Sequence, residues 1–592
     1  MRIHLGLLSL LRGAASDVDE RMEQGKIYLR DGRIDEAAKE FRTLLAKSPI
    51  DDKAALWLTR ALLIEGNYLE AQKTLFRALA WHSKSIPLRE QLAGLLHTTG
   101  SYWDAETEYK KLSNEGPSDQ FTVYLGLASL KYRDARYDDA FEYYQRALNI
   151  DPQNIGALLG VIGCAQHVQA AKNFIEQLQE KNLKDHIVSS ALKNNPTARL
   201  KPAPANSKNA EDIAVLFIDH FLPCKGGSAG STHHFEIIKL LRESGVQVTV
   251  IARNGEYQTE GKQQLEAIGV ETFATDPERL LAWNYNSTAE RIDFDELFKK
   301  RRYVLAILAR HNIGAVYMNV LKKHLPELAI AILTADLQFM REEKKQALYG
   351  SDPLVSEIRA AELQSYDLAD CLIAVSDPDE EILRKHFPSK EIFTIPLIYE
   401  INTSPVEFGF RKDLLFVGNF VHPPNADGVV HYSGHILPSL RNRLPGVKTY
   451  VVGAHSIPLL QSFACDDLII TGYVPSIEPF LAACKINIAP LRYGSGMNGK
   501  VVESMAAGLP VITTPAVAEA IGNDSGLIVA EDDEEFAEKI IQLYQSEELW
   551  RTARDQACNT IKNKFSPEVI KKRIDELLGW ASHQLTKQRS NL

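Results

Sequence analysis

A spacing of 34 residues governs the first quarter of the chain. Ala37, Ala71, Ala105 and Ala140 stand 34, 34 and 35 residues apart, and Gly32, Gly66 and Gly100 recur at 34, each five residues ahead of its alanine. Four residues after each alanine comes Phe41, Leu75, Tyr109 or Tyr144, and Pro49, Pro117 and Pro152 close three of the four units, with Ser83 in the second. The alanine has a steric use, because two antiparallel helices approach closely only where the facing side chain is small. The glycine suits the turn between paired helices, and the proline stops the second helix. The spacing therefore predicts stacked helix pairs, a solenoid in which each pair contacts its neighbours.

This period and pattern resemble the tetratricopeptide repeat, in four units over residues 18–152. Such a solenoid offers a concave surface, and docking of a peptide or protein partner is expected of it ahead of a dimerisation arm or a rigid spacer. Residues 153–192 read as helical, with Leu158, Leu159, Ile162 and Val168 apolar, and are expected to cap the solenoid's exposed end. Residues 193–211, rich in Pro, Ala, Asn and Lys, read as a semi-extended linker. The opening MRIHLGLLSLLRGAAS has a short apolar stretch that Arg12 interrupts, and reads as a capping or amphipathic helix ahead of a signal peptide.

After the linker the rhythm changes to strand and helix in alternation. Apolar runs at 213–218, 248–252, 315–318, 329–333, 371–375 and 392–395 read as strands, and a second series starts at Leu414. That predicts two doubly wound parallel-sheet domains in tandem, at 212–405 and 406–592. Open sheets of this kind bind ligands at the carboxyl ends of their strands. One such end is the stretch APLRYGSGMNGKVVESMAAGLPVITT at 489–514. A strand at 486–489 runs into a loop holding Gly494, Gly496 and Gly499, and a short helix carrying Lys500 and Glu503 follows. Glycines let backbone N–H groups approach a phosphate, and a helix N-terminus adds positive potential. Lys500 can neutralise a diphosphate, and Glu503 can accept hydrogen bonds from two vicinal ribose hydroxyls. On composition alone, an ordinary turn with a surface Lys and Glu stands beside that reading.

The segment resembles the donor-binding signature of the group 1, or family 4, retaining glycosyltransferases, in which a Gly-rich loop leads to a Lys and a Glu followed by Ala-x-Gly-x-Pro-Val. The resemblance takes in Leu414-Leu415-Phe416-Val417-Gly418-Asn419-Phe420 with Pro424-Asn425, then Val451-Val452-Gly453 and Gly472-Tyr473-Val474, and covers about residue 213 to the C-terminus. It implies a GT-B fold, two Rossmann-like domains facing each other across a cleft, with the last helix at 566–584 crossing back to the first domain. It also implies a donor site built from Gly226, Gly227, Gly418, Asn419, Gly472, Tyr473, Val474, Arg492, Gly494, Ser495, Gly496, Lys500 and Glu503. Arg492 and Lys500 are its diphosphate cations and catalytic groups. Many members carry another glutamate eight positions before the one at Glu503, where this chain has Ser495. That departure keeps a second possibility open, a repeat scaffold that retains a nucleotide-sugar fold without transfer.

Lys225-Gly226-Gly227-Ser228-Ala229-Gly230 resembles the family's glycine loop on the opposite side of the cleft. His233 and His234, in the helix turn after it, read as solvated or helix-packing. Asp336 and Arg341 lie just past a strand end, and related enzymes place Asp-x-x-x-x-Arg patterns near the transferred sugar. This makes Asp336 the candidate catalytic carboxylate of the acceptor domain, beside the plain reading of a helix N-cap with an exposed Arg.

A net charge of −10 argues against general nucleic-acid binding. The six cysteines never form C-x-x-C, which reads as reduced thiols and not a disulfide framework or zinc site. No run approaches the roughly 18 apolar residues of a membrane span. The expectation is a cytoplasmic enzyme, with peripheral contact at the inner face of the membrane left open. Its co-substrate is a nucleotide sugar, its acceptor a glycan, a lipid-linked glycan or a protein, and its repeats hold a peptide or protein partner. No cofactor or metal is expected, since Arg492, Lys500 and backbone dipoles can stabilise a leaving diphosphate.

Overall fold

The computed structural model describes residues 18–590 apart from 30–32, 66, 99–101, 115–119, 134–135, 166, 181–185, 194–212, 227, 254–258, 274–291, 350–353, 404, 421, 454–457, 462, 495 and 523–524. The expected helix at 1–17, the linker beyond Lys193, the turn glycines Gly32, Gly66 and Gly100, and Pro117, Gly227 and Ser495 lie outside the described residues.

Four helix pairs open the chain. They are residues 18–29 with Ile34–Lys47, Asp52–Glu65 with Tyr68–Trp81, Ile86–Thr98 with Tyr102–Asn114, and Gln120–Arg133 with Tyr137–Ile150. Ala37, Ala71, Ala105 and Ala140 are all 0% exposed, as close helix approach requires. The aromatic side chains of the pattern press onto glycines of neighbouring helices. A Cβ at Gly25 would lie 2.6 Å from the Phe41 ring, one at Gly126 2.7 Å from Tyr109, and one at Gly160 2.4 Å from Tyr144.

Helices Ile155–Cys164, Gln169–Glu180 and His186–Lys193 follow. The first of them packs on the last repeat, where Gly160 meets Tyr144, and it also reaches beyond the solenoid. Ile155–Cys164 is buried along its length and seats on the second Rossmann-like domain, so close that a Cβ at Gly156 would lie 2.3 Å from the Thr471 carbonyl oxygen and one at Gly163 2.7 Å from Pro475. The solenoid and that domain share buried clusters.

The first sheet is parallel, with strands β1 Ile213–Asp219, β2 Gln247–Ala252, β3 Glu271–Phe273, β4 Arg302–Ala309, β5 Ala329–Leu333, β6 Cys371–Ala374 and β7 Glu391–Thr394 in the order 3-2-1-4-5-6-7. The strand expected at 315–318 is instead part of helix His311–His324, with Ile313, Tyr317 and Leu321 buried at helical spacing. The strand of this unit is β4, immediately upstream. Its run YVLAILA is apolar on both faces because it sits between β1 and β5 at the sheet's centre.

The second sheet, also parallel, comprises β8 Leu414–Val417, β9 Thr449–Val452, β10 Leu468–Gly472, β11 Ile486–Ala489, β12 Val511–Thr513 and β13 Ile528–Val529 in the order 10-9-8-11-12-13. The last helix, Pro567–Ser590, crosses back, and its Ile570, Ile574, Leu577 and Ala581 join Val215 and Phe217 in the first domain's core. An α-solenoid followed by two facing Rossmann-like domains is the result, the latter in the GT-B arrangement. No helix among the described residues is long and apolar enough to cross a membrane.

Candidate functional site

Strand order reverses between β1 and β4 in the first sheet and between β8 and β11 in the second. Such switch points open crevices at the strands' carboxyl ends. The loop after β1 leads to helix Ala229–Glu243, whose N-cap Ser228 accepts from the Ser231 N–H. The loop after β11 leads to helix Gly499–Ala506, whose N-cap Asn498 accepts from the Val501 N–H. The two helix starts meet across the cleft. A Cβ on Gly499 would lie 2.3 Å from that of Ala229, so only glycine fits there. Two helix N-termini, each an anion-attracting end, are thereby brought together. Gly226, at φ 87°, and Gly494 both face open space on their Cβ side. Gly496, at φ 68°, touches the first Rossmann-like domain directly, since its Cβ would stand 2.9 Å from that of Asp336.

Lys500 and Glu503 share one turn of the short helix, with Nζ donating to Oε2 at 2.9 Å and both about a quarter exposed. The Tyr399 hydroxyl donates to the Gly499 carbonyl at 3.2 Å and steadies the start of that helix. Arg492 is held from behind. Its guanidinium grips both carboxylate oxygens of Asp427, Nε at 3.0 Å from Oδ2 and the second nitrogen on Oδ1. Asp427, on helix Pro423–His431, is only 2% exposed, whereas Arg492 is 26% exposed. The bidentate grip fixes the plane of the guanidinium.

In the first Rossmann-like domain, Asp336 and Arg341 form an ion pair, and Arg341 also donates to Glu342 at 3.2 Å. Burial would weaken the charge on Arg341, but Asp336 and Glu342 outweigh it and raise its pKa. Arg310 at the end of β4 and Ala335 at the end of β5 both hold positive φ, 75° and 62°. Left-handed backbone at non-glycine residues is strained and concentrates at functional sites. His422, from the second Rossmann-like domain, lies within range of the same charges. Burial lowers its pKa to about 4, with the Arg341 charge adding to the fall and Asp336 opposing it, so the imidazole is neutral near pH 7.

The two histidines of the first helix are buried, not solvated. His234 Nδ1 lies 2.6 Å from Asp219 Oδ2 at the end of β1. Burial alone would raise the Asp219 carboxyl, but the His234 charge and hydrogen bond, Arg310 and the His220 N–H hold it down at about 2. Burial pushes His233 down to about 3.

The ends of β8, β9 and β10 form one ledge. The Gly418 N–H donates to the Val452 carbonyl at 3.0 Å, and the Gly453 N–H donates to that of Gly472 at 3.0 Å. The Asn419 carbonyl accepts from Asn425 Nδ2 at 2.8 Å. Gly472 has φ 74°, Val474 is buried, and Tyr473 sits 6.2 Å from the ring of Tyr132 in the last repeat. A Cβ on Gly453 would lie 1.7 Å from the Gly418 carbonyl oxygen. Gly453→Ala is therefore expected to destabilise the protein by ~3 kcal/mol or more, read as a lowered denaturation midpoint.

Sequence reasoning did not find Asp427, His422 or Arg310. Asp427 lies 65 positions from Arg492, and no spacing rule links them. A lone Arg after an apolar strand likewise signals nothing until its φ is known.

Residues 411–546 match the family model described as glycosyl transferases group 1, and residues 22–85 match a tetratricopeptide repeat model. The second Rossmann-like domain thus carries a region of the group 1 glycosyltransferase type, and the helices over residues 22–85 are of the tetratricopeptide type. No curated protein matches the chain. Among solved structures, the chain is similar to a mutant O-GlcNAc transferase of Thermobaculum terrenum, at 11% identity and TM-score 0.44 over 98% of this chain and 99% of that one. It is also similar to HepE of Anabaena in complex with UDP and glucose, at 16% identity and TM-score 0.46, covering 62% of this chain and 99% of that one. A mutant TarM of S. aureus in complex with fondaparinux, alpha-GlcNAc-glycerol and UDP gives 10% identity and TM-score 0.47, covering 62% and 99%.

Proposed function

We propose that the protein is a retaining glycosyltransferase that moves a sugar from a nucleoside-diphosphate sugar to a hydroxyl of a glycan, lipid-linked or protein acceptor. The observation that carries this reading is the meeting of two helix N-termini at Ala229 and Gly499, with Lys500 on the first turn of one of them. A diphosphate has the charge for such a place.

Breaking the bond between the anomeric carbon and the phosphate oxygen builds negative charge on the diphosphate and positive charge on the ring. Lys500, Arg492 and the helix amides meet the first. Glu503 takes the ribose hydroxyls, and Asp336 faces the transferred sugar. As the acceptor oxygen bonds to the anomeric carbon from the side the diphosphate leaves, its proton passes to the departing phosphate oxygen. That route gives retention and needs no protein nucleophile. No metal is required, because the charge is met by side chains and dipoles. The repeats recruit the acceptor or a partner protein.

The test is binding and slow hydrolysis of a panel of nucleotide sugars by the full chain, with and without a chelator. One donor is expected to bind and lose its sugar, at a rate that chelation leaves unchanged. Well-folded protein that binds no donor would mean a scaffold.

A further inference from the structure

We propose that helix Asp52–Glu65 of the second repeat is a working wall of the catalytic cleft, seating the helix that holds Arg492 and tying down the helix that carries Arg341; this rests on the transferase reading above. A recruitment arm would need only a tether. This helix instead reaches both Rossmann-like domains.

Its flank packs against helix Pro423–His431, the support of Asp427 and through it of Arg492. Leu58 and Leu62 of the repeat and Val429 and Val430 of the donor domain belong to one buried cluster. Its C-terminal end meets the acceptor domain, where Lys345 Nζ donates to the Glu65 carbonyl at 2.5 Å. A carbonyl in the last turn of a helix is a favourable cation partner. Lys345 is one turn beyond Arg341 on helix Gln338–Tyr349, and residues four apart share a face. Tyr68, opening the next repeat helix, is partly buried in the same cluster and close enough to feel the charge of Arg341. Around the tie, burial raises the pKa of both the Asp35 and the Glu65 carboxyl, and the neighbouring cations Arg42 and Lys345 oppose the rise. Lys345 and Tyr68 are thus positioning residues for the Arg341–Asp336 pair.

The experiment uses full-length Lys345→Ala, Lys345→Arg, Tyr68→Ala, Arg341→Ala and the Tyr68→Ala/Arg341→Ala double variant, and follows hydrolysis of the nucleotide sugar selected by the panel. Lys345→Ala and Tyr68→Ala are each expected to lower kcat about tenfold with the donor KM within about twofold. Lys345→Arg restores most of the loss. Once Arg341 is gone, adding Tyr68→Ala costs less than about twofold more, because the residue acts through Arg341. An unchanged kcat in Lys345→Ala, or fully additive losses, overturns the inference. Hydrogen exchange needs no substrate. Amides of residues 334–349 are expected to exchange faster in Lys345→Ala, and unchanged exchange overturns the inference independently. Faster exchange in a protein whose wild type hydrolyses no donor would leave the wall in place and remove the transferase reading alone.

Discussion

Lys500→Ala and Glu503→Ala are each expected to cut kcat/KM for hydrolysis of the nucleotide sugar by ~10–100-fold while leaving the melting temperature almost unchanged. The two halves of that expectation come from different facts. The Lys500–Glu503 pair is about a quarter exposed and lies within one helical turn, so its loss costs ~0–1 kcal/mol of stability. A diphosphate or a ribose that loses a charge-assisted hydrogen bond inside the cleft loses ~1.5–3 kcal/mol. The kinetic signatures should also differ. Charge on the diphosphate grows as the bond breaks, so Lys500→Ala falls mainly on kcat. The ribose hydroxyls are held equally before and during reaction, so Glu503→Ala falls mainly on KM. Wild-type turnover by both folded variants would sink the site assignment.

The repeats were legible because their signal is local and periodic. A residue that must be small to let helices approach recurs at a fixed interval, and Ala37, Ala71, Ala105 and Ala140 need no tertiary context to be recognised. The glycine loop after β11 was legible for a similar reason, since strand, bare backbone and helix follow one another within a few residues. The misplaced strand at 315–318 shows the limit of short apolar runs. Residues 315–318 are as apolar as a strand, but burial there repeats every four residues, and the longer run of β4 just before it takes the place in the sheet.

What joins the three bodies was much harder to read. Helix Ile155–Cys164 holds three glycines, Gly156, Gly160 and Gly163, each costing ~1 kcal/mol relative to alanine in a helix. That cost is a signal of close approach, and the structure places Thr471, Tyr144 and Pro475 against them. The sequence could suggest that something packs there but not what. Contacts such as Lys345 with Glu65, or Gly496 with Asp336, depend on how domains meet, and no spacing encodes them.

Arg492→Ala is expected to destabilise the protein more than Asp427→Ala, although the two variants break the same ion pair. The asymmetry follows from burial. Asp427 is 2% exposed, so removing Arg492 leaves a carboxylate in the interior without its guanidinium clamp, at a cost of ~3–5 kcal/mol. Arg492 is 26% exposed, so after Asp427→Ala its guanidinium can turn toward water, and the cost falls to ~1–3 kcal/mol. The double variant Asp427→Ala/Arg492→Ala should therefore unfold at higher denaturant than Arg492→Ala alone. Activity sorts the variants differently. Asp427→Ala keeps the cation but frees its orientation, so turnover falls while the charge remains, and only Arg492→Ala removes both. Denaturant midpoints measured beside donor hydrolysis separate the two contributions. Equal midpoints for the single variants would mean that Asp427 is not buried as the structure has it. Undiminished turnover in Asp427→Ala would mean that Arg492 needs no guide.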